Sequence, residues 1–142
     1  MSSASSELSV NILTSRSDLK TAVDAWISNE SSATATYGDI NTWNVSQITD
    51  FSQLFQNSSS FNSDISSWDV SNGTNFEKMF QGASSFNQDL SNWDVSKGTN
   101  FGYMFGNNSA FNNDISSWNV SKATNFGMMF YEASSFNQDI SN

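Results

Sequence analysis

The 142 residues include no cysteine and no histidine. Without cysteine there is no disulfide, no thiolate nucleophile and no sulfur-ligated metal site; without histidine the commonest general base and the commonest metal ligand are also missing. Basic residues are scarce: 5 Lys and Arg stand against 14 Asp and Glu, a formal net charge of -9. Such a chain repels nucleic-acid backbones and anionic membranes, so neither is an expected partner. Long apolar runs are missing too. Nothing approaches the roughly 20 residues of a membrane-spanning helix, and Met1 to Val10 lacks the charged start and the apolar stretch of about 7 to 15 residues that mark a secretory signal.

What the chain does contain is aromatic rings in a polar background. Twelve Phe, five Trp and three Tyr are set among Ser, Asn and Thr, which predicts a ring-built core inside a neutral polar shell. The rings recur. Trp43, Trp68, Trp93 and Trp118 lie 25 residues apart, and aligning Phe61–Ser85 with Phe86–Ala110 gives 15 identities in 25 positions. The chain is therefore a tandem repeat, in which no unit buries its apolar face alone and each depends on its neighbours.

Within one unit, Ile65-Ser-Ser-Trp68-Asp69-Val70 has the L-x-x-L-x-L spacing of a leucine-rich repeat. Trp68 and Val70 alternate around Asp69, which predicts a short strand with the ring and the valine inside and the carboxylate outside. Phe76, Met79, Phe80 and Ala83 follow at i, i+3, i+4 and i+7 behind Thr74-Asn75, the pattern of a short capped helix. The same face returns as Phe101, Met104 and Phe105, and as Phe126, Met129, Phe130 and Ala133. The expected fold is thus an α/β repeat solenoid, a leucine-rich-repeat-like parallel strand stack with short helices.

The first third of the chain breaks the period. Ser15-Arg16-Ser17-Asp18 reads as a capping box, Leu19, Ala22, Val23, Trp26 and Ile27 form a helical stripe, and Gly38 is placed as a stop. Residues 15–37 are predicted to form one N-terminal capping helix over the first repeat. Residues 1–14 form a leader in which Leu8 to Ile12 alternates well enough for a short strand. Residues 38–142 hold four 25-residue repeats plus a truncated fifth, the whole making a single domain.

The string from Phe61 to Ser71, followed by Thr74-Asn75-Phe76 and Met79-Phe80, resembles the 25-residue repeat of BspA-like leucine-rich-repeat surface proteins. The likeness runs from about Tyr37 to Asn142, and Val23 to Trp26 with Tyr37 to Ile40 resembles the lead-in of such arrays. Gly73, Gly98 and Ala123 depart from it where an aliphatic residue is common, as do Phe76, Phe101 and Phe126 where Met is common. The resemblance implies an extracellular or cell-surface module of adhesion or binding, without catalytic activity or a cofactor. It carries over no functional residues.

Candidate sites come from the columns that the period creates. Asn44, Asp69, Asp94 and Asn119, with Ser46, Ser71, Ser96 and Ser121, are expected on the outer surface, where they suit a protein or glycan ligand. Asp39, Asp64, Asp89, Asp114 and Asp139 form a second column. Asp64, Asp89 and Asp114 could share calcium, but such a site needs roughly six to eight oxygens, and an Asx turn ahead of each strand is the favoured reading. Asn62, Asn87, Asn112 and Asn137 are expected to hydrogen-bond inwards between repeats. Six sequons, at Asn29, Asn44, Asn57, Asn72, Asn107 and Asn119, would accept glycans in a suitable host. A repeated acidic row is the opposite of the environment-split carboxylate pair that hydrolysis needs, so no enzyme is expected. The alternative to recognition is self-association: a filament or surface-layer subunit whose end near Phe136 and Ile140 is covered by another copy.

Overall fold

The structure, a computed structural model, describes residues 12–141, and its regular elements all lie near the amino-terminal side of the repeats. Helix α1 (Arg16–Ser28) starts where the Ser15 side chain accepts the Asp18 N–H, satisfying one of the orphan donors of the first turn. Leu19, Ala22, Val23 and Trp26 form its buried stripe. At Asn29 the backbone becomes extended, with φ -158° and ψ 93°, and the Asn29 side chain accepts the Ser32 N–H to begin α2 (Glu30–Tyr37). Residues 15–37 therefore form two helices rather than one, because an Asn that can bond its own downstream backbone competes with helix continuation. Gly38, at φ 79°, ends α2; a short 3-10 turn follows at Ile40–Thr42. Of the leader strand, Leu8 to Asn11 lie outside the described residues, while Ile12 makes a single parallel bridge with Asn44.

The repeats overturn the α/β leucine-rich-repeat solenoid. Among the described residues there is no β-strand, only isolated parallel bridges such as Asp50–Asn75, Asn75–Asn100 and Asn100–Asn125, and no α-helix beyond Tyr37. The expected strand does show the expected alternation: Trp68 and Val70 are buried and Asp69 is exposed. Yet Asp64 takes the Ser66 N–H and Asp69 takes the Ser71 N–H, and the Trp68 N–H goes to Ile65 in its own turn. Local side-chain acceptors thus consume the donors that a ladder would need.

The expected helix is a run of linked turns. Phe76 to Met79 closes one turn, Lys78 to Gln81 a second and Phe80 to Ala83 a third. Lys78 and Gly82, third residues of the first and last, have φ 58° and 70°, as type II turns require. The intervening N–H groups point to the next repeat: Phe51, Gln53, Phe55 and Asn57 donate to the carbonyls of Asn75, Glu77, Met79 and Gln81 at 2.7–3.0 Å. Phe76, Lys78, Phe80 and Gly82 do the same to Asn100, Gly102, Met104 and Gly106, and Phe101, Tyr103, Phe105 and Asn107 to Asn125, Gly127, Met129 and Tyr131. Alternate amides thus serve the repeat's own turns and its neighbour, so the segment satisfies its backbone without strand or helix.

Ring packing accounts for the choice. Phe51, Phe76, Phe101 and Phe126 stack with centroids 5.5, 5.3 and 5.7 Å apart, and Phe55, Phe80, Phe105 and Phe130 at 5.4, 5.5 and 5.7 Å. Packed helices need about 8–10 Å between axes, so one helix per repeat does not fit this spacing. Phe61, Phe86, Phe111 and Phe136 make a third column, each lying about one ring thickness from the second column in its own repeat, as in Phe80–Phe86 at 4.2 Å. The tryptophans tie the other side. The indole N–H groups of Trp68, Trp93 and Trp118 donate to the carbonyls of Ile40, Ile65 and Leu90, each 28 residues earlier, at 2.7, 3.1 and 2.9 Å.

Helix α1 closes the first repeat with charge as well as apolar surface. Trp26 packs edge-on against Trp43 at 6.0 Å. The Arg16 guanidinium donates to the Ser52 carbonyl and the Lys20 ammonium to that of Leu54 at 3.5 Å; in later repeats the residues at these positions, such as Glu77 and Met79, accept from the preceding repeat.

Gly98 shows how tightly the columns are set: a Cβ there would lie 2.5 Å from Cζ of Phe101, a ring fully buried between Phe76 and Phe126. We predict that Gly98→Ala lowers unfolding free energy by about 1–3 kcal/mol through overpacking. The converse change Ala123→Gly, beside the half-exposed Phe126, should cost about 1 kcal/mol or less. Urea denaturation of both variants checks the contrast; equal losses would contradict it.

Candidate binding face

Each repeat carries two Asx turns on one edge, flanking the inward-pointing tryptophan. Their side-chain oxygens accept the N–H two residues on: Asp64, Asp89, Asp114 and Asp139 from Ser66, Ser91, Ser116 and Ser141, and Asn44, Asp69, Asp94 and Asn119 from Ser46, Ser71, Ser96 and Ser121. Asp39 begins the first column in the same way with Asn41. The acidic and amide side chains of both columns are exposed, whereas Ser46, Ser71 and Ser96 are half-buried and Ser121 is exposed. The hydroxyls of Ser46 and Ser71 also donate to Asn44 and Asp69, at 2.7 and 2.6 Å. The structure thus brings both sets of candidate residues to one edge, each carboxylate with one oxygen committed to its turn.

Neighbouring repeats share bonds along this edge. Asn41 bridges to Asp64 and to the Ser67 N–H, and Asn72 donates to the Ser46 carbonyl while accepting from Lys97. The hydrogen bonds hold four carboxyls below their ordinary value of 3.8. For Asp89, Asp94 and Asp139 the following serine's hydroxyl contributes most and its N–H next. For Asp114 the Ser116 N–H leads, opposed by burial and by the charges of Asp139 and Asp89. Each column supplies one acidic or amide side chain per repeat, and among the described residues no group of three or more His, Cys, Asp or Glu is arranged to hold a metal ion.

The Asn62 column forms a ladder, but along the outside. Asn62, Asn87 and Asn112 accept the N–H groups of Asn87, Asn112 and Asn137 at 2.8–2.9 Å, and Gln88, Asn113 and Gln138 donate back to the same residues. These Asn side chains are exposed, so the inward orientation expected of them is not found. All six sequon asparagines are exposed as well. Asn29 caps α2, the Asn72 amide is engaged with Ser46, and Asn57 and Asn107 sit at positive φ.

A third Asx column was not recognised in the sequence. Asp50, Asn75, Asn100 and Asn125 accept the N–H groups of Ser52, Glu77, Gly102 and Gly127. Thr-Asn before Phe reads equally as a helix cap, because both uses place a side-chain oxygen on an N–H two or three residues ahead. The threonines beside them, Thr74, Thr99 and Thr124, donate their hydroxyls to the carbonyl of the threonine one repeat earlier.

Residues 21–142 match the sequence family described as Mycoplasma protein of unknown function, DUF285. That span covers most of the chain, which belongs to this family. No curated protein and no solved structure matches it. No helix among the described residues is long and apolar enough to cross a membrane.

The carboxyl shifts carry a pH signature. Because folding lowers the pKa of Asp89 and Asp94, their ionised forms stabilise the fold at any pH above the unfolded value, about 3.9. That contribution disappears as pH falls through the lower folded values. The native chain should therefore exceed an Asp89→Asn/Asp94→Asn variant in Tm at pH 6, and the gap should close as the pH falls through the folded values of the two carboxyls. Paired melting curves test this; a gap that widens in acid has the wrong sign.

Proposed function

We propose that the protein is a non-enzymatic recognition module, acting outside the cell or at its surface, that binds a protein or glycan through the edge bearing Asn44, Asp69, Asp94 and Asn119. The observation that carries this reading is the exposure of that row at repeat pitch, with serine hydroxyls beside it. A carboxylate held by its own turn is already oriented, so little side-chain freedom remains to be lost on binding. Regular spacing lets several weak contacts act together on a repetitive ligand. The net charge of -9 favours cationic partners and raises their encounter rate at low salt.

The filament or surface-layer alternative needs a neighbouring copy to meet the open end of the stack. Its weakness is the other end of that copy, where α1 already covers the first repeat.

Recognition through this edge is tested by applying the labelled chain to a glycan array and to a panel of immobilised matrix proteins. A double Asp69→Lys/Asp94→Lys variant should lose at least about tenfold in affinity for whatever is captured, which corresponds to roughly 1.4 kcal/mol, while circular dichroism at a temperature below its lowered melting point still shows the native fold. Capture that survives the double substitution would remove this edge from consideration.

A further inference from the structure

The outer amide ladder begins abruptly, at a notch between the helices and the first coil. In later coils each rung is closed by the coil before it. The N–H groups of Asn87, Asn112 and Asn137 go to Asn62, Asn87 and Asn112, and Gln88, Asn113 and Gln138 donate to the same three side chains. One period before Asn62 stands Tyr37, the last residue of α2. Asn62 therefore has no rung beneath it, and its N–H meets no acceptor among the described residues. At the position of Gln88 the first coil carries Ser63, whose hydroxyl accepts the Trp26 indole N–H at 3.0 Å and keeps its own proton to donate. The chain break at Asn29 sets the exposed Glu30 on the facing side. Between them lies a cleft of about 130 Å³, with Trp26, Ile27 and Phe61 on its apolar wall and Glu30, Ser60, Asn62 and Ser63 on its polar one.

We propose that this notch binds a single pyranose ring, the terminal residue of a glycan. Hydrogen-bond polarity selects that occupant. The polar wall sets two donors, the Asn62 N–H and the Ser63 hydroxyl, beside an acceptor, the Glu30 carboxylate. An ammonium group only donates, which leaves the first two unpaired. A carboxylate or phosphate only accepts, and Glu30 repels it. A hydroxyl does both, so a pair of hydroxyls on adjacent ring carbons satisfies the whole wall. The C–H face of the same ring then lies against the apolar wall, where the Trp26 indole is held in place by its bond to Ser63. The size agrees: a cavity of roughly 150 Å³ takes up benzene, so the cleft accepts one six-membered ring with its substituents projecting from the open side. None of these residues belongs to the row from Asn44 to Asn119, so failure here leaves the recognition reading of that edge standing.

The test titrates the isotopically labelled full chain with the methyl glycosides of glucose, galactose, mannose and N-acetylglucosamine, and follows the Trp26 indole N–H and the Asn62 amide by NMR. At least one glycoside should shift both signals saturably, with a Kd of the order of 1 mM for so small a ligand. The side chains of Glu30 and Ser60 make no hydrogen bond to the described residues. A Glu30→Ala/Ser60→Ala variant should therefore keep the rest of the spectrum and lose about tenfold or more in affinity. Methylammonium and acetate at the same concentrations should leave both signals in place. The absence of a saturable shift with every glycoside overturns the proposal. So does an unchanged affinity in the double variant, or a saturable response to methylammonium or acetate with the glycosides silent.

Discussion

Everything in the repeats depends on one interaction: the alternate N–H groups that leave a coil to meet the carbonyls of the next, as from Phe76, Lys78, Phe80 and Gly82 to Asn100, Gly102, Met104 and Gly106. These bonds set the separation of successive coils, and that separation is also near the stacking distance of phenylalanine rings, 5.3 Å for Phe76–Phe101. Backbone and side chains therefore agree on one spacing. Each stacked pair adds about 0.5–1.5 kcal/mol beyond its buried area, and the columns repeat that gain at every step. Positive φ at Gln53, Lys78, Tyr103 and Met128 opposes it, since such a conformation costs a non-glycine residue of the order of 1 kcal/mol.

The polar surface follows from the same geometry. A coil that turns sharply every few residues has many N–H groups aimed sideways or outwards, and Asp, Asn and Ser answer them locally. Asp64, Asp69 and Asn75 each accept the N–H two residues ahead. The abundance of these residues is thus a structural requirement, and the exposed carboxylates are its by-product. Family membership, within proteins described only as of unknown function, leaves the chemistry of this surface as the ground for the recognition reading.

The amino-acid pattern made some of this legible. Ser15 as a cap, the stripe from Leu19 to Trp26 and Gly38 as a stop are local signals, and local signals suffice for a helix. The inward position of each tryptophan was readable because burial follows alternation whether or not a strand forms. The strand itself was not readable, since Asp69 and Ser71 in sequence do not reveal that the carboxylate takes the serine N–H. The spacing of Phe76, Met79, Phe80 and Ala83 fits a helix and a series of linked turns equally well. Asn57, Gly82 and Asn107, recurring where φ is positive, were the available hint, because Gly and Asn tolerate that region far better than other residues.

The indole bridges span 28 residues and the backbone bonds about 24, so every link outside the amino-terminal helices joins a coil only to its immediate neighbours. The surroundings of an interior coil are then the same wherever it stands in the row. Recombination between copies that inserts or removes one whole period would leave every remaining junction chemically intact. The length of the displayed surface is consequently a quantity that heredity can adjust in unit steps, while the cap and the fold remain untouched.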